Sequence, residues 1–342
     1  MAVKWIEGFE THTTTTTLAA KWLSATGVSS AAGRVLGTSA TGTIEMTTPS
    51  LGLDNTMIFG VGLRVNSNAV FTSERGFYFQ RGAQEQCHLY IDQQGGGFDL
   101  VLKTGTTEIE RTAVTLDHDI WHYVEMKCEC IASGAYEVRV NGVSVFSGTG
   151  AALNDSGLTG ADTFSFHFPD TFLSTRFFLD DLYVLDGSGA TANDFIGPQT
   201  IEGILVTANG AVNNWTNDGT GDNYTSVDDP TSSHDESGAG GTVSSGTLAQ
   251  EDLYTMSDLA SLTGSITAVQ FNVRAAVASV GTRNILFKAK TGANASASAG
   301  SSPVSDTVFQ NIHKIMETNP STASGWTISD VNDTQLGVET GA

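Results

Sequence analysis

The sequence predicts an all-β protein made of two antiparallel sandwiches. Its 342 residues include 38 glycines and only 6 prolines, a balance that favours short strands joined by tight turns over helix bundles. Apolar residues alternate with period two through residues 76–114, where an amphipathic helix of any length is hard to place. A chain of this length can form two domains with separate cores. We therefore predict one sandwich over residues 1–198 and a second over residues 199–342.

Strand candidates in the first half follow one another at intervals of about ten residues, with glycine-containing turns between several of them. This spacing is typical of an antiparallel sandwich. The candidates cover residues 5–9, 43–46, 57–65, 76–80, 87–92, 98–103, 107–114, 163–168 and 177–185.

Residues 120–148 contain the clearest pair of strands. Asn141 and Gly142 lie between two alternating segments, and both residue types accept the positive φ that a type I′ turn requires. Cys128 and Cys130 lie two apart on the preceding strand, so both are predicted to face the core as small apolar residues. Three cysteines in a chain of this size do not indicate a disulfide scaffold.

The second sandwich is predicted from shorter and less regular strands. The clearest cover residues 266–276 and 284–290. Residues 307–317 alternate in the same way, with a short helix as the alternative. A segment low in apolar residues, at about 229–246, is predicted to be an exposed loop.

The charge of the chain excludes several classes of partner. Its formal charge is −21, from 16 basic and 37 acidic residues. An acidic surface repels phosphate and no Lys/Arg cluster offsets it, so nucleic-acid binding is not expected. The N-terminal residues lack the apolar core of a signal peptide, and no apolar run reaches the roughly 18 residues of a membrane helix. We predict neither secretion nor membrane insertion.

Paired carboxylates are the first candidates for chemistry, because glycoside hydrolysis uses two of them across a sugar. Glu108 and Glu110 flank Ile109 and are predicted to share one face of a strand. Asp180 and Asp181 are adjacent in a strand and are predicted to point to opposite faces, where one could cap a turn or bind an ion. Neither pair makes a convincing acid–base couple, so we predict no catalytic residue and no enzymatic activity.

Calcium is the one cofactor that the sequence brings into question. The segment 218–223 is rich in oxygen ligands, with Asp218 and Asp222 as the candidate carboxylates. It lacks the full D-x-[DN]-x-[DN]-G pattern and a correctly placed bidentate Glu, so a plain turn is the alternative.

Aromatic residues could form a platform for sugar rings. Trp22 and Trp121 are the candidates for contact with a glycan, and Tyr78 and Tyr90 are further ones. Packing in the core explains each of these side chains equally well.

Three segments of the first half resemble concanavalin A-like, laminin-G-like jelly-roll domains: Trp121-His122-Tyr123-Val124-Glu125, Val138-Arg139-Val140-Asn141-Gly142 and Leu179-Asp180-Asp181-Leu182-Tyr183-Val184. The resemblance covers about residues 3–198. It implies that the early strand, 5–9, pairs near the closing strand, 178–185. Hydrolases of this family carry E-x-D-x-x-E or E-x-D-x-E on one strand, and neither string occurs here.

The run Asp194-Phe195-Ile196-Gly197-Pro198, followed by a second β-rich domain, resembles the layout of tailed-bacteriophage virion proteins. This implies a non-enzymatic virion structural protein, either a tail-fibre or tail-tip component or a capsid decoration or head-fibre component. It would serve assembly or surface attachment, be assembled in the host cytoplasm, and contact other virion proteins and copies of itself, as in a trimer.

Two further hypotheses stand beside the virion role. The alternative is a carbohydrate-binding module that recognises host surface glycans. The third is a relative of glycoside hydrolases, acting through Glu108 or Glu110.

Overall fold

The structure is a computed structural model that describes residues 2–10, 21–35, 38–67, 76–94, 97–168, 177–229, 241–259 and 263–341. The chain divides into two compact units, Met1–Glu202 and Gly203–Ala342. Both are built from antiparallel strands, so the predicted all-β fold is confirmed: a jelly-roll sandwich followed by a second β-sandwich. None of the described helices is long and apolar enough to cross a membrane.

The described part of the first unit contains 13 strands in one hydrogen-bonded sheet. They are β1 (Val3–Glu7), β2 (Ser24–Ala32), β3 (Thr38–Thr47), β4 (Thr56–Val65), β5 (Gly76–Arg81), β6 (Gln84–Gln94), β7 (Gly97–Thr104), β8 (Thr107–Val114), β9 (Trp121–Glu129), β10 (Gly134–Val140), β11 (Val143–Ala151), β12 (Thr163–Phe168) and β13 (Phe177–Asp186).

This sheet folds back on itself to make the sandwich. Layer A has the strand order β11-β10-β9-β4-β13, with β1 paired to β13. Layer B has the order β3-β12-β5-β6-β7-β8, with β2 paired to β3. The layers are continuous where β13 pairs with β3. The pairing of β1 with β13 confirms what the family resemblance implies for the early and closing strands.

Phenylalanine rings from both layers form the centre of the core. Phe59 of layer A lies 4.9 Å from Phe77 and 5.1 Å from Phe164 of layer B, measured between ring centroids. A disulfide between Cys87 on β6 and Cys128 on β9 also joins the layers. Cys128 and Cys130 are buried as predicted, but Cys128 is covalently paired rather than a simple apolar residue.

The turn between β10 and β11 has the geometry predicted for it. Asn141 has φ 52° and Gly142 has φ 79°, and Val140 pairs with Val143 across them. The side-chain oxygen of Asn141 also accepts a hydrogen bond from the main-chain N–H of Tyr123 at 2.8 Å. The turn therefore fixes the register of β10 and β11 and ties both to β9.

The second unit is a smaller sandwich. Its strands are β14 (Val206–Asn213), β15 (Thr216–Asn217), β16 (Val243–Ser244), β17 (Glu251–Met256), β18 (Val269–Ala275), β19 (Arg283–Thr291), β20 (Ala297–Val304), β21 (Gln310–Met316), β22 (Thr318–Asn319), β23 (Ser324–Gly325) and β24 (Thr334–Gly341). A five-stranded sheet, β14-β17-β24-β19-β20, packs against the pair β18-β21.

Two short elements, β16 and a helix, lie between the longer strands of the second unit. Residues 230–240 of the predicted loop 229–246 lie outside the described residues, and Val243–Ser244 pairs as β16 with β15. A short helix, α1 (Ile328–Asn332), begins at Thr327. The Thr327 hydroxyl accepts from the N–H of Asp330, while the Asp330 carboxylate accepts from the N–H of Thr327, which is a capping box.

The segment after β13 belongs with the first unit. Arg34 donates to the carbonyl oxygen of Gln199, and the main-chain N–H of Ile201 donates to Asp181 at 2.7 Å. Residues 199–202 therefore lie on layer A, although the sequence placed them at the start of the second domain.

Candidate functional site

The outer face of layer B carries an ordered row of polar and aromatic side chains. Because Phe77, Leu89 and Leu100 fill the core, the alternate positions of β5, β6 and β7 point outward. Cross-strand registers then place these outward side chains side by side: Tyr78, His88, Tyr90, Lys103 and Arg111.

The rings of this row stack on one another. Tyr78 and His88 lie 4.8 Å apart with their planes 22° from parallel. His88 is followed by Tyr90 at 6.3 Å, and Lys103 places its Nζ 4.6 Å from the Tyr90 ring centroid. All three rings are buried, so the stack lies beneath the exposed polar side chains of this face and offers no open aromatic surface to a ligand.

Arg111 on β8 organises the exposed part of the same face. Its guanidinium forms a two-pronged ion pair with Glu108, at 3.1 and 3.0 Å. It also donates to Asp92 at 2.6 Å and to Asp99 at 3.0 Å. A further bond at 3.2 Å reaches the hydroxyl of Tyr90. We call Arg111, Asp92, Asp99, Glu108 and Tyr90 the Arg111 network.

The electrostatics of the Arg111 network fix its protonation. Hydrogen bonding to Glu108, Asp92 and Asp99 raises the pKa of Arg111. The hydrogen bond from Arg111 lowers the pKa of Glu108 below its ordinary value of 4.5. The guanidinium of Arg111 and the carboxylate of Glu108 are therefore both charged at neutral pH, and the acceptors around Arg111 are held in place before a ligand arrives.

Glu108 and Glu110 do not share a face, contrary to prediction. A register shift between Leu102 and Lys103 pairs Glu108 with Lys103 and Glu110 with Leu102. Because one extra residue occupies β8, the two carboxylates point to opposite sides of the sheet. Glu108 joins Arg111 outside, while Glu110 accepts a hydrogen bond from Tyr136 at 2.6 Å. The pair is not arranged to act on one glycosidic bond.

The two tryptophans predicted as glycan contacts lie in different environments. Trp22 is 2% exposed and packs against Trp5 and Phe166, while its indole N–H donates to Glu7 at 3.1 Å. It therefore presents no ring face to a ligand, and the structure supports the alternative of core packing. Trp121 is half-buried on the outer face of layer A, beside Arg64.

Asp180 and Asp181 lie in one cluster, contrary to the prediction that they point to opposite faces. A register shift in β13 spans them, and Asp181 has φ 52°. This bulge turns both carboxylates toward Glu10, so that ligand oxygens of the three residues lie within 4.8 Å of one another. We call Glu10, Asp180 and Asp181 the carboxylate cluster.

Burial dominates the chemistry of the carboxylate cluster. It raises the pKa of Glu10 to about 9 and that of Asp180 to about 8, and it also raises the pKa of Asp181. Three oxygen ligands at this spacing could hold a hard cation such as calcium. Each oxygen of the two aspartates, however, already accepts one hydrogen bond, from Arg34, Asp181 or Ile201.

Asp218 and Asp222, the calcium candidates from the sequence, belong to no such cluster in the described chain. Asp218 accepts from the N–H and the hydroxyl of Thr242, at 3.2 and 2.9 Å. Next to Asp222, Asn223 donates to the buried carboxylate of Asp252 at 2.8 Å. Hydrogen bonds of this kind hold the loop in place, as expected for the alternative of a plain turn.

No family model and no curated protein matches the sequence. Among solved structures, the chain is similar to the cellulose induced protein Cip1, with 15% identity over 57% of this chain and 100% of that chain and a TM-score of 0.40. It is also similar to domain 4 of AbnA, a GH43 extracellular arabinanase from Geobacillus stearothermophilus in complex with arabinotriose, with 15% identity over 56% and 96% and a TM-score of 0.39. For alginate lyase vAL-1 from Chlorella virus the identity is 14% over 50% and 95%, with a TM-score of 0.35. Similarities this low identify no family and assign no function.

Proposed function

We propose that the first unit is a carbohydrate-binding module that holds a glycan on the outer face of β6, β7 and β8, without catalysis. The Arg111 network is the observation that carries the proposal. The Arg111 side chain is 33% exposed, yet its guanidinium is fixed by five hydrogen bonds that it donates to carboxylates and a tyrosine hydroxyl.

A sugar presents hydroxyl groups that both donate and accept, on a ring whose remaining surface is partly apolar. The carboxylates of Asp92, Asp99 and Glu108 supply acceptors, and the five N–H groups of Arg111 are all engaged in holding these acceptors and the Tyr90 hydroxyl in place. Because the ion pairs hold these groups in one arrangement, little side-chain entropy is lost when a ligand binds. The network therefore suits recognition of hydroxyl-rich ligands.

The absence of catalysis in this proposal rests on the two glutamates. A glycosidase needs a carboxylic acid with a raised pKa opposite a second carboxylate. Glu108 has a lowered pKa and is bound to Arg111, while Glu110 lies on the other side of β8. Neither residue is arranged to deliver a proton to a sugar on the outer face.

Affinity gel electrophoresis against a panel of neutral and acidic polysaccharides tests the proposal. We expect retardation by at least one polysaccharide and loss of that retardation in Arg111→Gln and Asp99→Asn. Arg139→Gln is the matched control, because Arg139 is 32% exposed and paired with Glu137 on layer A. Retardation that is the same in all variants, or absent with every polysaccharide, would contradict the proposal.

The second candidate is the structural role in a tailed-phage virion. What supports it is the layout already noted: the run Asp194-Phe195-Ile196-Gly197-Pro198 after the closing strand, and then a second β-sandwich. Light scattering on the purified chain tests it, with a trimer or other closed oligomer as the expected result. A strict monomer at high concentration would argue against an assembly role. A chain that both binds a glycan and self-assembles would fit a virion protein that attaches to a glycan surface.

A further inference from the structure

Three neighbouring strands of layer A place an arginine against two aromatic rings, Trp121 and Phe178, which also contact each other edge to face. The registers of β4 pair Arg64 with Trp121 on β9 and with Phe178 on β13. The guanidinium carbon lies 5.2 Å from the centroid of Trp121 and 3.8 Å from that of Phe178. We call these residues the Arg64 sandwich. It lies on the outer face of layer A and so is separate from the Arg111 network on layer B.

The Arg64 sandwich contains a charge with no anionic partner among the residues that the structure describes. Its buried Nε–H makes no hydrogen bond there. Arg34, Arg111 and Arg139 each bind a carboxylate instead. Arg81 and Arg283 have no carboxylate partner in the described part of the chain either, but each donates to a main-chain carbonyl oxygen.

The two aromatic faces stabilise the positive charge of the Arg64 guanidinium, but they accept none of its N–H groups. Cation–π contacts attract the guanidinium without accepting its N–H groups in the directions that an oxygen would. A buried donor left without an acceptor is costly, and more so when it is charged. The arrangement is therefore suited to an incoming acceptor that brings a negative charge.

We propose that the Arg64 sandwich is a binding site for the carboxylate of an acidic sugar, with the guanidinium on the carboxylate and Trp121 beside the sugar ring. A planar carboxylate matches the two-pronged edge of a guanidinium. The half-buried Trp121 provides the apolar surface that a sugar ring can contact. This inference concerns a second site and does not depend on the Arg111 network.

Charge favours a single carboxylate over phosphate at this site. One arginine balances one negative charge, whereas a phosphate dianion would keep an unbalanced charge at the site, within the field of a chain with a net charge of −21. Screening confines that field to about 8 Å at physiological ionic strength, so the local arginine decides binding there. Acidic sugars are thus expected to bind at moderate salt, and binding should not require a basic patch.

The test is titration calorimetry with a galacturonic acid trimer and with its methyl ester, which keeps the ring and removes the charge. We expect the acid to bind at least about tenfold more tightly than the ester, because only the acid forms the two-pronged pair. Arg64→Gln should remove this difference, and Arg64→Lys should restore only part of it. Arg139→Gln on the same layer is the control that should leave binding unchanged.

Several results would overturn the inference. Equal affinity for acid and ester would exclude recognition of the carboxylate, as would unchanged binding in a folded Arg64→Gln variant. A short polyglutamate that binds as tightly as the trimer would show that no sugar is recognised. Absence of trimer binding to the native chain would also refute it. If the trimer still binds to Arg111→Gln, its site is separate from the Arg111 network. This conclusion holds whether or not the electrophoresis experiment supports glycan binding by that network.

Discussion

Asp181 accepts a hydrogen bond at 2.7 Å from the main-chain N–H of Ile201, 20 residues further along the chain. The same carboxylate pairs with Arg34 at 2.8 Å, and Arg34 in turn donates to the carbonyl oxygen of Gln199. The end of the first unit is therefore attached to the carboxylate cluster. Protonation of this cluster and stability of the fold should depend on each other.

The first prediction concerns stability against pH. Burial raises the pKa of Glu10 from 4.5 to about 9 and that of Asp180 from 3.8 to about 8. The folded state thus keeps protons that the unfolded chain releases, and stability falls as pH rises through this window. The loss is about 1.4 kcal/mol per pH unit for each proton kept. Asp180→Asn should make the fall of stability with pH less steep by about 1.4 kcal/mol per pH unit, because the folded variant keeps one proton fewer. Urea unfolding at several pH values, with a chelator present, measures this slope.

Asp194→Asn is the control for that experiment. Desolvation raises the pKa of Asp194, but the N–H of Phe195 and Lys127 lower it further, so that the net shift is downward. Asp194 is ionised in both states near neutral pH, and its removal should leave the slope unchanged. A native chain whose stability rises between about pH 5 and pH 8 would contradict the prediction.

The second prediction concerns the Arg111 network at acidic pH. Because the pKa of Glu108 is lowered, this carboxylate stabilises the fold above its unfolded pKa of 4.5, and the contribution is lost as pH falls. Arg111→Gln should weaken this acid-side loss and reduce stability at neutral pH by about 1 kcal/mol. Arg139→Gln, which breaks a pair with one glutamate, should cost about half as much. Equal losses in urea unfolding would show that the network adds nothing beyond an isolated pair.

The third prediction concerns the bond between the layers. Cys87 and Cys128 are 41 residues apart, and closing a loop of this length stabilises a fold by up to about 4 kcal/mol. Replacing both by serine should lower the free energy of unfolding by an amount of this order and abolish any response to reductant. Cys130→Ala is the control, because Cys130 is buried and unbridged. A native chain that unfolds at the same denaturant concentration with and without reductant would exclude the stabilising role.

The fourth prediction concerns the turn between β10 and β11. Gly142 has φ 79°, a conformation that strains a residue with a Cβ. Gly142→Ala should therefore cost about 1 kcal/mol of stability. Gly325→Ala is the matched control, since nothing lies within 4 Å of its added Cβ and its φ is not positive. Similar thermal unfolding of both variants would show that the positive φ is not a constraint.

The fold could be predicted from the sequence where its causes are local. Alternation of apolar residues and an Asn-Gly pair act within a few positions, and they predict β9, β10, β11 and the turn before β11 correctly. The bulges at β8 and β13 could not be predicted in this way. A bulge is defined by the partner strand, and it reversed the faces expected for Glu110 and for one of the two adjacent aspartates.

The candidate sites were less accessible to sequence reasoning because their members come from distant strands. Arg111 finds Asp92 on β6 and Asp99 on β7, and no spacing rule links these positions. Arg64 meets Trp121 only through the register of β4 and β9. The small number of basic residues, 16 against 37 acidic ones, is the sequence signal that could have pointed to these sites. In so acidic a chain, each arginine is a candidate centre for a cluster of partners.

The attachment of residues 199–202 to layer A has a practical consequence for dividing the protein. A fragment that stops at residue 198 lacks the N–H of Ile201 and the carbonyl of Gln199, so Asp181 and Arg34 each lose a partner while Asp181 stays beside two other acids. A fragment that extends to residue 202 keeps both contacts. The boundary between independently expressed halves is therefore a matter of hydrogen bonds across the sheet rather than of where the strands end.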